Sequence, residues 1–227
     1  MIRVHVVCEG QTEEMFVNEV LAEYMLPHGV SLRPSLIGKP GRKGGNVNQG
    51  RLIGDIGNRL RSDTGAYCTS IFDYYGLPQN FPGKPAADRQ GTSAEKARVL
   101  LQALQDELEA AIGTDLARRF IPYVQMYEFE SLLFSDTDGL ARGINQVHLS
   151  DQFRAIRDAF PTPEDINDDP LTAPGKRIKA CYPGYDKVYL GSLAALEIGI
   201  ESIRSACPLF SRWIAVLESL GESRTGL

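Results

Sequence analysis

The first sixteen residues constrain this chain more than any other stretch. Ile2-Arg3-Val4-His5-Val6-Val7 is an apolar, β-branched run that reads as a buried strand, and Gln11 opens a helical pattern. Glu9-Gly10 therefore falls in a tight strand-to-helix turn, which sets a carboxylate at the carboxyl end of the first strand. In open α/β sheets that edge binds ligands, because strand ends and helix N-termini face the same crevice. Gly10 permits the turn, and Thr12 is the expected N-cap of the following helix. Acidic residues near helix starts are also common for dipole reasons. Position alone thus leaves two readings of Glu9 open, a site residue or a solvated loop residue.

A chain of 227 residues with 43% hydrophobic content can bury the core of one large α/β domain, with or without a smaller appendage. No apolar run approaches the ~20 residues that cross a bilayer, and the run that ends in Cys8-Glu9 reads as a strand instead of a signal peptide with a cleavage site. A cytoplasmic protein without a membrane partner is expected. Cys8, Cys68, Cys181 and Cys207 form no CxxC pair and the three histidines are dispersed, which argues against structural zinc. Cys8 and Cys68 read as core thiols. The net charge of −5 gives no global basic footprint, so a polyanion would have to meet a local patch or bound metal ions.

Periodicity predicts a helix over Glu13 to Met25, a second strand over Val30 to Ile37 and a helix from about Asn46 to Arg61. Between the last two lies a glycine-rich loop, Gly38 to Asn46, whose Lys39, Arg42 and Lys43 could meet a phosphate or remain solvated. It lacks P-loop spacing. Tyr67 to Phe72 reads as a third strand that ends in Asp73, followed by a long surface loop to Gly91. A helix from Thr92 to about Ile112 carries a leucine stripe at positions 100, 101, 104 and 108. Phe120 to Met126 is the fourth strand, passing into Tyr127-Glu128-Phe129-Glu130 and directly into a helix. Four strand-helix alternations predict a parallel sheet with right-handed crossovers. The remainder reads as helices near Gln152 to Phe160, Leu190 to Arg204 and Leu209 to Leu220, with a frayed tail from Gly221.

Glu9, Asp73 and one or both of Glu128 and Glu130 are thereby expected on one rim, where carboxylates that close repel unless something positive compensates them. A divalent cation is the natural compensation. Hard oxygen donors without nearby His or Cys favour Mg²⁺ or Mn²⁺ over zinc, and such ions activate water and stabilise charge in phosphodiester cleavage. Serine-type catalysis finds no GxSxG elbow, and His28 or His148 would have to be brought in without any hint from the pattern. A second basic cluster, Lys176-Arg177-Ile178-Lys179 with Lys187, is either solvated or phosphate-binding. Glu128 and Glu130 also suit the capping or solvation of a helix.

Glu9-Gly10-Gln11-Thr12-Glu13, Phe72-Asp73 and Tyr127 to Asp136 carry a resemblance to a bacterial domain-of-unknown-function family related to the Toprim (topoisomerase–primase) fold. It extends through Pro174 to Ile178, Tyr185-Asp186-Lys187 and Cys207 to Trp213, nearly the whole chain. The resemblance implies a Toprim-like Rossmannoid α/β core over residues 1–135, with a central, mostly parallel sheet of about four strands flanked by helices. A helical C-terminal extension over residues 136–227 packs on it. It further implies a metal-binding glutamate at Glu9 and an Asp-x-Asp pair of which Asp73 is the first member, while Tyr75 stands in the place of the second.

The leading expectation is a metal-dependent nuclease-like protein. Glu9 and Asp73 bind Mg²⁺ or Mn²⁺, Glu128 or Glu130 completes a catalytic site that includes Lys187, and Arg42, Lys43, Lys176, Arg177 and Lys187 contact the nucleic acid, DNA rather than RNA. The similarity to Toprim nucleases of the overcoming-lysogenisation-defect class implies an ATPase partner of the ABC or recombination-repair type and a role in defence against phage or foreign DNA. The alternative is a catalytically inactive module that binds nucleic acid or regulates the ATPase, an expectation that the tyrosine at 75 supports. Homo-oligomerisation is left open.

Overall fold

The sheet grows outward from the N-terminal strand. In the computed structural model, which describes all residues except 39–46, 167–168, 170–171 and 223–227, β1 (Ile2–Cys8) pairs with β2 (Val30–Leu36) on one side and β3 (Tyr67–Ile71) on the other, and β4 (Phe120–Ile121) lies beyond β3. Among the described residues this is a four-stranded sheet of order β2-β1-β3-β4 with every pair parallel, the α/β arrangement that the alternation predicts. Val4, Val6, Val7 and Cys8 are fully buried because helices cover both faces, which is why β1 reads as a continuous apolar run and not an alternating one.

The first helical stretch runs through α1 (Gln11–Phe16), a π-helical segment (Val17–Leu21) and α2 (Ala22–Met25), and lays Phe16, Val20, Leu21 and Met25 on the face of Val4, Val6 and Cys8. Its N-cap is Gly10, in an extended conformation, and not Thr12, which is buried in the first turn. The capping acceptor comes from downstream: Gly10 N–H donates to Glu13 Oε2 at 2.8 Å.

The opposite face is covered by α3 (Gln49–Ser62), capped by Asn48 Oδ1, and α5 (Ser93–Ile112), capped reciprocally by Thr92 and Glu95. Leu100, Leu104 and Leu108 of α5 are buried with Leu52, Ile56 and Cys68, while Leu101 is only partly covered. The long loop before α5 contains a short helix, α4 (Lys84–Ala87), and α6 (Thr114–Ala117) leads into β4. β4 is shorter than the expected Phe120 to Met126, because beyond Ile121 the Ser70 hydroxyl replaces the backbone ladder, donating to Tyr123 O at 2.9 Å and accepting from Tyr123 N–H at 3.3 Å. The chain returns to the sheet only at a parallel bridge between Asp73 and Gln125. It then enters a 3₁₀ segment, Phe129–Ser135, and not an α-helix.

The C-terminal part contributes α7 (Thr137–Gly143), α8 (Ser150–Asp158), α9 (Pro174–Cys181), α10 (Tyr189–Ile198), α11 (Ile200–Ala206) and α12 (Pro208–Glu222). The single helix expected over Leu190 to Arg204 is broken at Gly199, whose φ of +76° no helical residue adopts. The last helix continues through Gly221 and Glu222 instead of fraying there. Phe210 packs 6.1 Å from Phe16, and Trp213 stacks on Tyr123 with ring centroids 4.3 Å apart and donates from Nε1 to Thr69 Oγ1 at 2.9 Å. Residues on both sides of position 136 therefore build one hydrophobic cluster.

Glu164, almost fully buried, fastens α12 to this cluster by accepting from Leu209 N–H and Phe210 N–H, both at 2.8 Å. Burial pushes its carboxyl up to about 7, against the two N–H donors. Removing the acceptor in Glu164→Ala leaves two helix-terminal donors buried and is expected to cost about 2–3 kcal/mol. A thermal melt should show this as a fall of roughly 5–10 °C.

Candidate functional site

In this sheet order the chain leaves β1 for one neighbour and returns on its other side, so the switch point lies between the carboxyl ends of β1 and β3. Glu9 and Asp73 follow those two strands. The register pairs Cys8 with Ile71, and Asp73 N–H donates to Glu9 Oε2 at 3.2 Å. Gly76 leaves the room: a Cβ there would stand 2.7 Å from Glu9 Oε2 and closer still to Oε1. Gly76→Ala is accordingly expected to push the Glu9 carboxylate out of the site. Its stability should fall by about 1–3 kcal/mol in a denaturant titration, and any activity that needs Glu9 should be lost with it.

Lys187 and Glu130 join these two, and Glu13 lies within their field. Glu130 is 1% exposed and lies 2.9 Å from Lys187 Nζ, which also donates to Asp73 Oδ2 at 3.1 Å. Asp73 Oδ1 accepts from Phe129 N–H at 2.8 Å, which ties the end of β3 to the segment that carries Glu130. Glu13, which caps the first helix, is also buried. Burial, reinforced by Asp73, pushes Glu13 up to about 8 and Glu9 up to about 7. Burial likewise pushes Glu130 up to about 7 in spite of Lys187, and raises Asp73. Burial alone would lower Lys187, but Asp73 and Glu130 outweigh it and hold the ammonium firmly protonated.

Glu128 has a different role. Its Oε2 accepts from Gly175 N–H at 2.9 Å, at the N-terminus of α9 where the dipole favours an anion. A Cβ at Gly175 would lie 3.1 Å from oxygens of both Glu128 and Glu130, so the glycine lets α9 approach both carboxylates. The two acidic residues read from one motif thus divide: Glu128 caps a helix, and Glu130 pairs with Lys187.

Beside them opens a 200 Å³ cavity lined by Glu128, Glu130, Lys176, Lys179, Tyr185 and Lys187. Lys176 and Lys179 share a helix face at i,i+3 spacing. Arg177 turns away, with Nε donating to Thr172 O at 2.7 Å and its guanidinium 5.3 Å above the Phe160 ring. Arg42 and Lys43 lie outside the described residues. The sequence pattern does not single out Glu13 or Tyr185 as members of this cluster, whereas Lys179 belongs to the second basic cluster it offers. Glu13 is legible as the acidic residue three positions after a glycine cap.

Tyr75 packs 5.2 Å from Tyr127, a residue held at φ +62° immediately before Glu128. A left-handed aromatic residue is a strained choice, stabilised here by burial, by ring contacts with Tyr74 and Tyr75 and by Tyr75 N–H donating to Tyr127 O at 3.1 Å. Position 75 therefore supplies a ring packed on Tyr127 and no carboxylate.

The oxygen-only donors Glu9, Glu13, Asp73 and Glu130 suit Mg²⁺ or Mn²⁺ in chemistry. Among the described residues, however, no three His, Cys, Asp or Glu side chains are grouped so as to hold an ion. Lys187 is the cation that Asp73 and Glu130 share.

The family model described as "Domain of unknown function (DUF4276)" matches residues 8–218, from the end of β1 to near the end of α12. The chain belongs to this family. The match takes in Glu9, Asp73, Glu130 and Lys187, so the whole carboxylate cluster lies within the DUF4276 domain. Among curated proteins there is no match. Two solved structures of the C-terminal region of the Xanthomonas campestris pv. campestris OLD protein, one phased with iodine and one with mercury, are similar at 15% identity and a TM-score of 0.36. They cover 95% of this chain, which in turn covers 97% and 98% of theirs. No helix among the described residues of this DUF4276 member is long and apolar enough to cross a membrane.

Proposed function

We propose that this chain is a divalent-metal-dependent phosphodiesterase that cleaves nucleic acid, with DNA preferred over RNA. The observation that carries the reading is that Asp73 and Glu130 share the ammonium of Lys187 at the switch point, with Glu9 accepting from Asp73 N–H and Glu13 within the field of Asp73 and Lys187. All four are raised. Among the described residues one lysine leaves negative charge in excess, and Mg²⁺ or Mn²⁺ would offset it once movement of the side chains grouped Glu9 and Asp73 with Glu130 or Glu128 as ligands.

A bound ion supplies Lewis-acid stabilisation and an acidified water. The protein's own groups do the rest. Burial pushes the metal-free carboxyls of Glu9 and Glu130 up to about 7, and a bound cation would hold both ionised as ligands. Lys176 and Lys179, at the cavity mouth, orient a phosphate, and Lys187 offsets its charge. In the same reading a cytoplasmic ATPase of the ABC or recombination-repair type grips the nucleic acid, and the pair acts against phage or foreign DNA.

A second reading, a silent module that binds nucleic acid or regulates the ATPase, is favoured by one observation: Tyr75 fills position 75 and packs at a tilt against Tyr127. The test is incubation of supercoiled plasmid, single-stranded DNA and RNA with Mg²⁺ or Mn²⁺, for the wild type and Glu9→Ala. Metal-dependent cutting that Glu9→Ala abolishes supports the enzyme. Tight binding of the same substrates without cutting, with the ATPase added, supports the module.

A further inference from the structure

Among the described residues β4 has a neighbour on one side only, and helices flank its other side. Phe120 and Val124 face the core layer of α5, whereas Tyr123 faces that of Trp213 and α12. The two helices thus cover opposite faces of the sheet, and both reach past its last strand. Between them lies a slot of 470 Å³ whose floor is Phe120 to Val124. Ala97, Leu101 and Gln105 form the α5 wall, and Leu209, Trp213 and Val216 the α12 wall. This is the place a further strand would take in a helix–sheet–helix sandwich. The partial cover of Leu101, outside the buried stripe of α5, and the 42% exposure of Val216 follow from it. Pro122 in the floor is tolerated because this is an edge.

We infer that the slot receives an extended, acidic segment of another protein, which adds to β4 as a parallel or antiparallel strand. Strand addition to an exposed edge draws affinity from main-chain hydrogen bonds and specificity from side-chain pockets, and here both faces of the added strand meet apolar walls. The charge of the occupant follows from the rim, where Arg98 and Arg212 line the slot and no carboxylate does. A second copy placed edge to edge by a two-fold axis would set the same arginines against each other, so the rim disfavours self-pairing.

Trp213, the single tryptophan of the chain, stands in the wall and reports occupancy by its fluorescence. The probes are the synthetic peptide Ser-Asp-Val-Ile-Val-Glu-Ser, the same peptide with both acids replaced by Lys, and the acidic peptide N-methylated at alternate amides. The acidic peptide is expected to shift Trp213 emission saturably. The other two should bind at least about tenfold more weakly, the loss of one or two hydrogen bonds or charge contacts. The doubly reversed variant Arg98→Glu/Arg212→Glu, at two exposed positions, should exchange the preference in favour of the Lys peptide. Absence of a saturable shift up to millimolar peptide, or equal binding of the N-methylated peptide, overturns the inference. So does concentration-dependent dimerisation in sedimentation that the double variant abolishes, which would assign the slot to a second copy.

Discussion

Asp73→Asn is expected to lower metal-dependent cleavage by roughly 10²–10³-fold while leaving the melting temperature within a few degrees of the wild type. The substitution keeps the shape of the side chain and the acceptor that Phe129 N–H uses at Oδ1. It also leaves Lys187 paired with Glu130. What it removes is the one charge that stands next to every other member of the site: Asp73 acts on Glu9 and Glu13 through the field that raises both, and on Glu130 through their shared lysine. Without that charge the ion loses a ligand, and Glu9 titrates closer to the ordinary carboxylate range. The pH profile of the residual activity should move to lower pH accordingly. Unchanged cleavage by Asp73→Asn, at full occupancy of Mn²⁺, would remove Asp73 from the chemistry and with it the proposed site.

Much of this arrangement is legible in the sequence, because it depends on short-range signals. The β-branched run of β1 followed by Glu9-Gly10, and the run of β3 followed by Asp73, place two carboxylates at strand ends by period and turn chemistry alone. Parallel pairing follows from the alternation of strands and helices. Pairings between distant segments are less legible. Nothing local distinguishes Glu128, which caps a helix that begins 46 residues later at Pro174, from Glu130, which meets Lys187. Lys187 and Lys176 look alike as solvated cations until the C-terminal helices dock, after which the former is the counter-ion of Asp73 and Glu130. The end of β4 at Ile121 is set by the side chain of Ser70 on the neighbouring strand, which no local pattern in Phe120 to Met126 announces. The residue type of Thr12 suits a cap, whereas the close turn after β1 leaves the capping position to Gly10.

The largest effect on stability should come from Lys187→Met, and its sign depends on pH. The folded-state carboxyls of Glu9, Glu130 and Glu13 lie at about 7, 7 and 8, above the ordinary value of 4.5. A raised carboxyl contributes stability that is fully present below the unfolded value and is lost as pH rises through the folded one. The wild type is therefore expected to lose stability between about pH 5 and pH 8. Lys187 lowers all three carboxyls, so it supports the fold most at the alkaline end of that window, where they ionise. Removing one partner of a buried ion pair costs about 3–5 kcal/mol. The lysine side chain is 38% exposed, and solvent screening reduces the figure to about 2–3 kcal/mol. Thermal melts without divalent metal should accordingly show Lys187→Met close to the wild type at pH 5 and lower by roughly 5–10 °C at pH 8. Millimolar Mn²⁺ should recover most of that loss, since an ion that binds only the folded state stabilises it in proportion to the logarithm of its occupancy. Recovery by Mn²⁺ but not by an equal ionic strength of Na⁺ separates a metal bound among these carboxylates from general screening. A pH-independent loss, or one that Mn²⁺ leaves untouched, would mean that Lys187 supports the fold by packing and that the four carboxyl groups do not share one site.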